Sequence, residues 1–200
     1  MLLLGRSMDG RTPETIMTEA QAYGTEDRVT IKEGLPDDEM VRAIRSARVS
    51  LMLSGNEGSC VAVVESMFAD VPVGMFHDAI MGSLAYINDQ TGRRLYAPNL
   101  GAQLSQFVAE HEKYSPRRWV MDNGISCFGS TEMLNTAIRT KALEWGEEWT
   151  RDIAVQHWRP NPSFVDEKDN EVMAEAYAEF GDKYGCPILP RATDGSFLEK

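Results

Sequence analysis

The stretch Ser54-Gly55-Asn56-Glu57-Gly58-Ser59-Cys60-Val61-Ala62-Val63-Val64-Glu65 decides how this chain folds. It follows a short apolar run, Val49 to Leu53, that reads as a strand. It ends inside a helix predicted to run to about Asp70. Cys60, Val61, Val63, Val64, Met67 and Phe68 recur at helical spacing, so one face of that helix packs on a sheet. At roughly 100° per residue, Glu65 falls beside the apolar arc and not opposite it. Its carboxylate is therefore expected at the rim of the core, where a ligand can reach it.

The same stretch suits a phosphorylated ligand. Ser59 is placed to cap the helix. The amides of Cys60, Val61 and Ala62 would then point outward from the positive end of the helix dipole. Such an end is an anion site, large enough for a diphosphate. Gly58 lets a ligand approach the backbone closely. An acidic side chain nearby can hold a ribose diol by paired hydrogen bonds, a role open to Glu65. Glu57, in the loop, is positioned to hold a second set of hydroxyls. Two diol holders beside a diphosphate site describe a nucleotide-sugar.

Working outward, the chain alternates strand and helix with short connections. Met1 to Leu4 is apolar without alternation, as in a buried parallel strand. Pro13 opens a helix with Ile16, Met17 and Ala20 inward. Arg28 to Ile31 is the next predicted strand, and Leu35-Pro36-Asp37-Asp38 opens a helix with Met40, Val41 and Ile44 inward. After the central stretch come a strand at 72–76, a short helix at 82–87, a turn at Thr91-Gly92 and a strand at 94–96. This order predicts a parallel, doubly wound α/β sheet, in which ligands bind at the carboxyl ends of strands. Beyond it the pattern is helical. Helices are predicted from Leu100 and Pro116, and a longer one is capped by Ser130 or Thr131, with Leu134, Ile138, Trp145 and Trp149 near one face. Residues 158–162 read as a helix-free link, and Val172 to Phe180 as a last amphipathic helix. The expected organisation is a Rossmann-like donor-binding domain over 1–112 and a helical extension over 113–200.

Composition narrows the function classes. A net charge of −11 over 200 residues disfavours a broad nucleic-acid or anionic-membrane footprint. Cys60, Cys127 and Cys186 are odd in number and far apart, and read as free thiols in a reducing, cytoplasmic compartment. No apolar run approaches the ~18 residues that span a bilayer. No Asp-x-Asp pair and no His-Glu-x-x-His occurs, so no metal is expected. Neither a dinucleotide fingerprint nor a phosphate-loop lysine motif is present, so NAD and ATP readings lack support. His77, Asp78, Arg93, Arg94, Arg117 and Arg118 are secondary candidates near the site or for phosphate contact. For each, an ordinary solvated or loop role is the stronger reading. His111 and His157 read as surface or packing residues, and Trp145 and Trp149 as core in preference to a sugar platform.

Two glutamates separated by seven residues, after a strand ending in serine and before "ESMFADVPV", resemble the donor site of retaining family-4 glycosyltransferases of the GT-B fold. The likeness runs from about Arg28 to Leu95. It takes in "DRVTIKEGLPDDEMVRAIRSARVSLMLS", the two-glutamate segment, "ADVPVGMF" and "NDQTGRRL" in that order. The resemblance implies hexosyl transfer from a nucleotide-diphosphate sugar, UDP- or GDP-linked, to an acceptor hydroxyl, independent of metal and with no cofactor besides the substrate. It implies that Glu57 contacts the donor sugar, that Gly58, Ser59, Cys60 and Val61 line sugar and phosphate, and that Glu65 binds the ribose.

That family has a first domain carrying most of the acceptor site. Its second domain usually begins with a strand followed by an arginine and a lysine. Arg6 is not matched to that arginine, because the order of strings after it leaves no room for the intervening strand. Met1 to Leu4 thus reads as the second strand of the donor domain. The first domain and first strand are expected to be missing: the chain is a fragment, or a partner chain or homo-oligomer supplies them, or the donor site is degenerate. A non-catalytic module of the same fold and a nucleotide-sugar epimerase remain as alternatives.

Overall fold

The computed structural model describes residues 1–5, 10–156 and 164–185. Arg6, His157, the link 158–162, Cys186 and the tail beyond Gly185 lie outside the described residues. The chain forms two compact units, Met1–Trp119 and Val120–Lys200.

The first unit is α/β with all-parallel ladders. β1 (Leu2–Gly5) pairs with β2 (Thr30–Glu33), Leu3 opposite Ile31. Between them runs α1 (Pro13–Ala22), with proline in its first turn and a reciprocal Thr12–Thr15 capping box. Ala20 is buried on its inner face. β2 begins two residues later than the sequence pattern predicts. Glu26–Arg28 is a 3₁₀ turn, and pairing starts where the Met1 ammonium donates to the Arg28 carbonyl and Thr30 N–H donates to the Met1 carbonyl.

α2 (Asp37–Arg45) places three acids in its first turn and Arg42 and Arg45 in its last, matching the helix dipole at both ends. It leads to β3 (Ser50–Met52), which starts a second parallel sheet in the order β3-β4-β5. β4 (Val73–Phe76) is central, with Ser50 opposite Val73 on one side and Val73 opposite Gly92 of β5 (Gly92–Leu95) on the other. The single sheet expected from the alternation is thus two parallel ladders, because β1 and β3 do not pair with each other among the described residues.

The core lies around β4. Val73, Met75 and Leu95 are fully buried, as are Val63 and Met67 on α3 (Val61–Phe68) and Phe107 on α4 (Leu100–Ala109). Burial of each such side chain contributes about 1.5–3 kcal/mol. Two glycines permit this packing. A Cβ on Gly74 would lie 2.9 Å from both Leu51 and Leu95 side chains and 3.1 Å from Phe107, and one on Gly92 would lie 1.9 Å from the Val73 carbonyl oxygen. The 3₁₀ turn Gly82–Tyr86 covers the other end, and the buried Thr91 hydroxyl accepts from Asn88 N–H and donates to the Tyr86 carbonyl. Asp70, which adopts a left-handed conformation after α3, accepts from Arg117 N–H at the start of α5 (Pro116–Asp122).

The second unit is helical. α6 (Cys127–Glu144) starts earlier than expected, because Ser126 and not Ser130 or Thr131 caps it by accepting from Gly129 N–H. Ser130 Oγ instead donates back to the Ser126 carbonyl inside the helix. Buried Asn135 clasps the Ile153 backbone through both its amide atoms. α7 (Glu167–Tyr184) is capped by Asp166 and ends at left-handed Gly185. The expected apolar face of α6 is not a core face: Leu134 and Ile138 are exposed, and Trp145 is 73% exposed. Trp149 is half-buried, donates to Asp152 and lies under Arg139, 5.9 Å from its ring centroid.

Candidate functional site

The carboxyl ends of β3 and β4 carry two loops that hold each other. After β3 the chain runs from Leu53 to Cys60, and after β4 from His77 to Met81. Asn56 and Ile80 form a parallel bridge. Glu57 N–H donates to the Ile80 carbonyl at 3.0 Å, Ile80 N–H donates to the Gly55 carbonyl at 2.9 Å, and Gly82 N–H donates to the Gly58 carbonyl at 2.8 Å. The backbone of the two-glutamate loop is therefore fixed on both sides of Glu57, while Glu57, Gly58 and Ser59 remain exposed. Sequence reasoning missed the 77–82 loop as the clamp on this one. No local sequence signal marks it, since the two loops are more than twenty residues apart.

The helix start differs from the expectation in one respect. The N-cap of α3 is Cys60, not Ser59, and no side chain makes a capping hydrogen bond. Cys60 is extended at φ −77°, ψ 105°, and buried, which leaves Ser59 one residue outside the cap. Val63 N–H closes onto the Cys60 carbonyl at 3.2 Å. The amides of Val61 and Ala62 thus stand at the uncapped positive end of an eight-residue helix. The first turn of α3 carries no acidic residue to neutralise that end.

Of the residues assigned from the sequence, Glu57 and Cys60 are brought together. Burial holds the Cys60 thiol above its ordinary value, and the Glu57 carboxylate raises it further by hydrogen bond and by charge; the Val63 and Ala62 amides oppose this weakly. Cys60 is thus a neutral thiol at neutral pH and not a nucleophile. The Glu57 carboxylate thus lies near a buried, protonated thiol. Glu65 lies on the second turn of α3, exposed, and its carboxylate has no hydrogen bond or ion pair among the described residues. Next to it in the chain, buried Ser66 donates to the Ala62 carbonyl and accepts from the Ser50 hydroxyl of β3, which ties the helix to the strand that feeds the loop.

The secondary candidates are mostly engaged elsewhere. His77 stacks on Tyr96 with ring centroids 4.3 Å apart and lies 3.6 Å from the Asp78 carboxylate. Arg93 pairs with Glu110 at 3.4 Å, and Arg94 donates to the Leu84 carbonyl. His111 contacts the Val108 carbonyl. Among the described residues no cluster of three His, Cys, Asp or Glu is arranged to hold a metal, and no helix is long and apolar enough to cross a membrane. A cavity of about 810 Å³ lies in the second unit, lined by Phe128, Asn135, Ile153, Val165 and Asp169 among others, and by none of the site residues assigned from the sequence.

Residues 1–115 match the family described as glycosyl transferases group 1. Among solved structures, sucrose-phosphate synthase from Thermosynechococcus elongatus superposes with a TM-score of 0.52 at 22% identity, over 60% of this chain and 33% of that one. The chain thus spans about a third of the length of that relative, and the likeness is one of fold. No curated protein matches at a significant level.

Proposed function

Because the chain belongs to the glycosyl transferases group 1 family, we propose that its first unit is the donor-binding part of a glycosyltransferase, one that moves a hexosyl group from a nucleotide-diphosphate sugar to an acceptor hydroxyl with retention at the anomeric carbon. The observation that supports this most is the uncapped start of α3, with exposed Glu57 before it and exposed Glu65 on its second turn. Val61 and Ala62 amides would stabilise the leaving diphosphate by pre-organised electrostatics. Glu57, its loop clamped to Ile80, would orient the donor sugar. Glu65 would take the ribose diol, with Gly58 and Ser59 lining the approach. The nucleotide, UDP- or GDP-linked, is substrate and not cofactor.

Calorimetric titration of the chain with UDP, GDP and ADP tests this reading. One nucleotide should bind, and Glu65→Ala should weaken it roughly ten- to hundred-fold, the worth of hydrogen bonds to a charged group. If none of the three binds, the chain is not an autonomous donor domain. A second reading, a non-catalytic module of the same fold acting through a partner chain, is favoured by the edges of β1 and β3 that no strand pairs among the described residues. It predicts co-purification with another chain and no nucleotide binding.

A further inference from the structure

The cavity of about 810 Å³ in the second unit has the volume of a small-molecule site. It is a trough with three walls. α6 gives Phe128, Glu132 and Asn135, which recur at helical spacing and share one face. The chain from Arg151 to Val155 is the second wall, and Val165 with the start of α7 is the third. None of these residues lies in the stretch 1–115 that matches the family.

The walls are pinned to one another. Asn135 is buried and holds the Ile153 backbone at 2.7 and 3.1 Å. Val165 N–H donates to the Val155 carbonyl at 2.9 Å, and Arg151 pairs with Asp169 at 3.0 Å. A trough held this way is formed before a ligand arrives, so little ordering opposes binding.

The lining combines open apolar surface with unmatched negative charge. Phe128, Ile153 and Val165 line the trough and are 59%, 40% and 37% exposed, so hydrocarbon stands open inside a concavity. The charged groups are five carboxylates and one guanidinium. Three of the carboxylates are engaged: Asp152 with Arg139 and Trp149, Asp169 with Arg151, and Asp166 with the Lys168 N–H as the cap of α7. Glu132 and Glu167 make no ion pair or hydrogen bond among the described residues. Glu167 suits the amino end of α7, but Glu132 stands in the second turn of α6, beyond the reach of the helix dipole. One unmatched carboxylate thus stands on each of two walls, with apolar side chains lining the same space.

We propose that this trough binds an aliphatic diamine or polyamine, its hydrocarbon chain over Phe128, Ile153 and Val165 and its ammonium groups at Glu132 and Glu167. Each feature excludes an alternative. An anion meets the excess of carboxylates. A bare divalent cation leaves the apolar surface uncovered, and among the described residues no three His, Cys, Asp or Glu are grouped to hold one. A neutral apolar ligand leaves both carboxylates unmatched. An ammonium group beside Phe128 gains from the ring face as well as from charge. The site stands whether or not Glu65 holds a nucleotide.

Amide-resolved NMR titration of the full chain at physiological salt tests the site. Hexamethylenediamine is the probe, hexanediol its neutral counterpart, and magnesium supplies charge without hydrocarbon. The diamine should bind saturably and shift the amides of residues 128–135, 151–155 and 165–169. The double variant Glu132→Gln/Glu167→Gln should weaken it roughly tenfold, the worth of two partly screened ion pairs. Glu26→Gln/Asp27→Asn, the same change of charge on the first unit, should leave it unaltered. The proposal is overturned by an absence of saturable binding, by equal weakening in the Glu26/Asp27 pair, by hexanediol binding as tightly as the diamine, or by magnesium producing the same shifts.

Discussion

Residues 1–53 and 60–119 are built from the same βα units, yet they are packed very differently. In the first region Ala20 is the only buried residue among those described. In the second, Val63, Met67, Val73, Met75, Leu95 and Phe107 are almost fully withdrawn from solvent. The first region does not lack apolar residues: Leu2, Leu3, Leu4, Ile16, Met17, Ile31, Met40, Val41, Ile44, Leu51 and Met52 are all there. It has fewer neighbours among the described residues. β4 has a strand on each side with α3 and α4 against it, whereas β1 and β2 pair, among the described residues, only with each other, and Val41 on α2 is 50% exposed. Apolar content sets how much burial is available, and topology sets how much of it is realised.

The largest contrast is expected at two glycines. Gly92→Ala drives a methyl group into the Val73 backbone and should destabilise the chain by more than ~3 kcal/mol or prevent folding, whereas Gly5→Ala in β1 meets nothing within 4 Å and should change the urea midpoint little. Equal effects would remove the distinction between the two regions. Large-to-small changes come next. Phe107→Ala should cost about 3–5 kcal/mol, and Leu3→Ala only about 1 kcal/mol, since Leu3 is half-exposed already. A Leu3→Ala loss as large as that of Phe107→Ala would show the first region to be fully packed in solution.

A smaller effect should sharpen the picture of the second region. Thr91→Val keeps the shape but leaves Asn88 N–H and the Tyr86 carbonyl without the hydroxyl, at a cost of about 1–3 kcal/mol by chemical denaturation. The smallest is a pH effect. The Glu110 carboxyl is held below its ordinary value of 4.5, chiefly by the Gln106 side-chain amide and then Lys113 and Arg93. A depressed carboxyl stabilises fully above its unfolded value and loses that contribution as acid protonates it in the folded state. Stability should therefore fall below about pH 4.5, and Glu110→Gln should flatten that part of the thermal-midpoint profile while lowering the neutral plateau slightly.

The family and the alternation of elements were legible from residue order alone, because helix spacing, acids at helix starts and the strings around Glu57 and Glu65 are local properties of the chain. The start of α3 was read within one residue. Ser59 is the better capping residue type, but Cys60 holds the cap position, because the bridge from Asn56 to Ile80 and the Gly82–Gly58 hydrogen bond pull the loop back over β4. That clamp joins residues more than twenty positions apart and leaves no periodic trace. Likewise, Ser130 is a plausible cap for α6 by type, yet Ser126 caps it because the chain turns earlier, where Gly129 lies against Gly124 with no room for a Cβ.

What the sequence determined by itself was therefore the set of elements, the parallel character of the strands and the stretch that carries Glu57 and Glu65. Only the tertiary structure decided which strands meet. Leu2, Leu3 and Leu4 read as a buried strand because their side chains are apolar, and that inference concerns side chains alone. Pairing and cover depend on which neighbours reach the backbone edge. For β1 the only strand that does so, among the described residues, is β2.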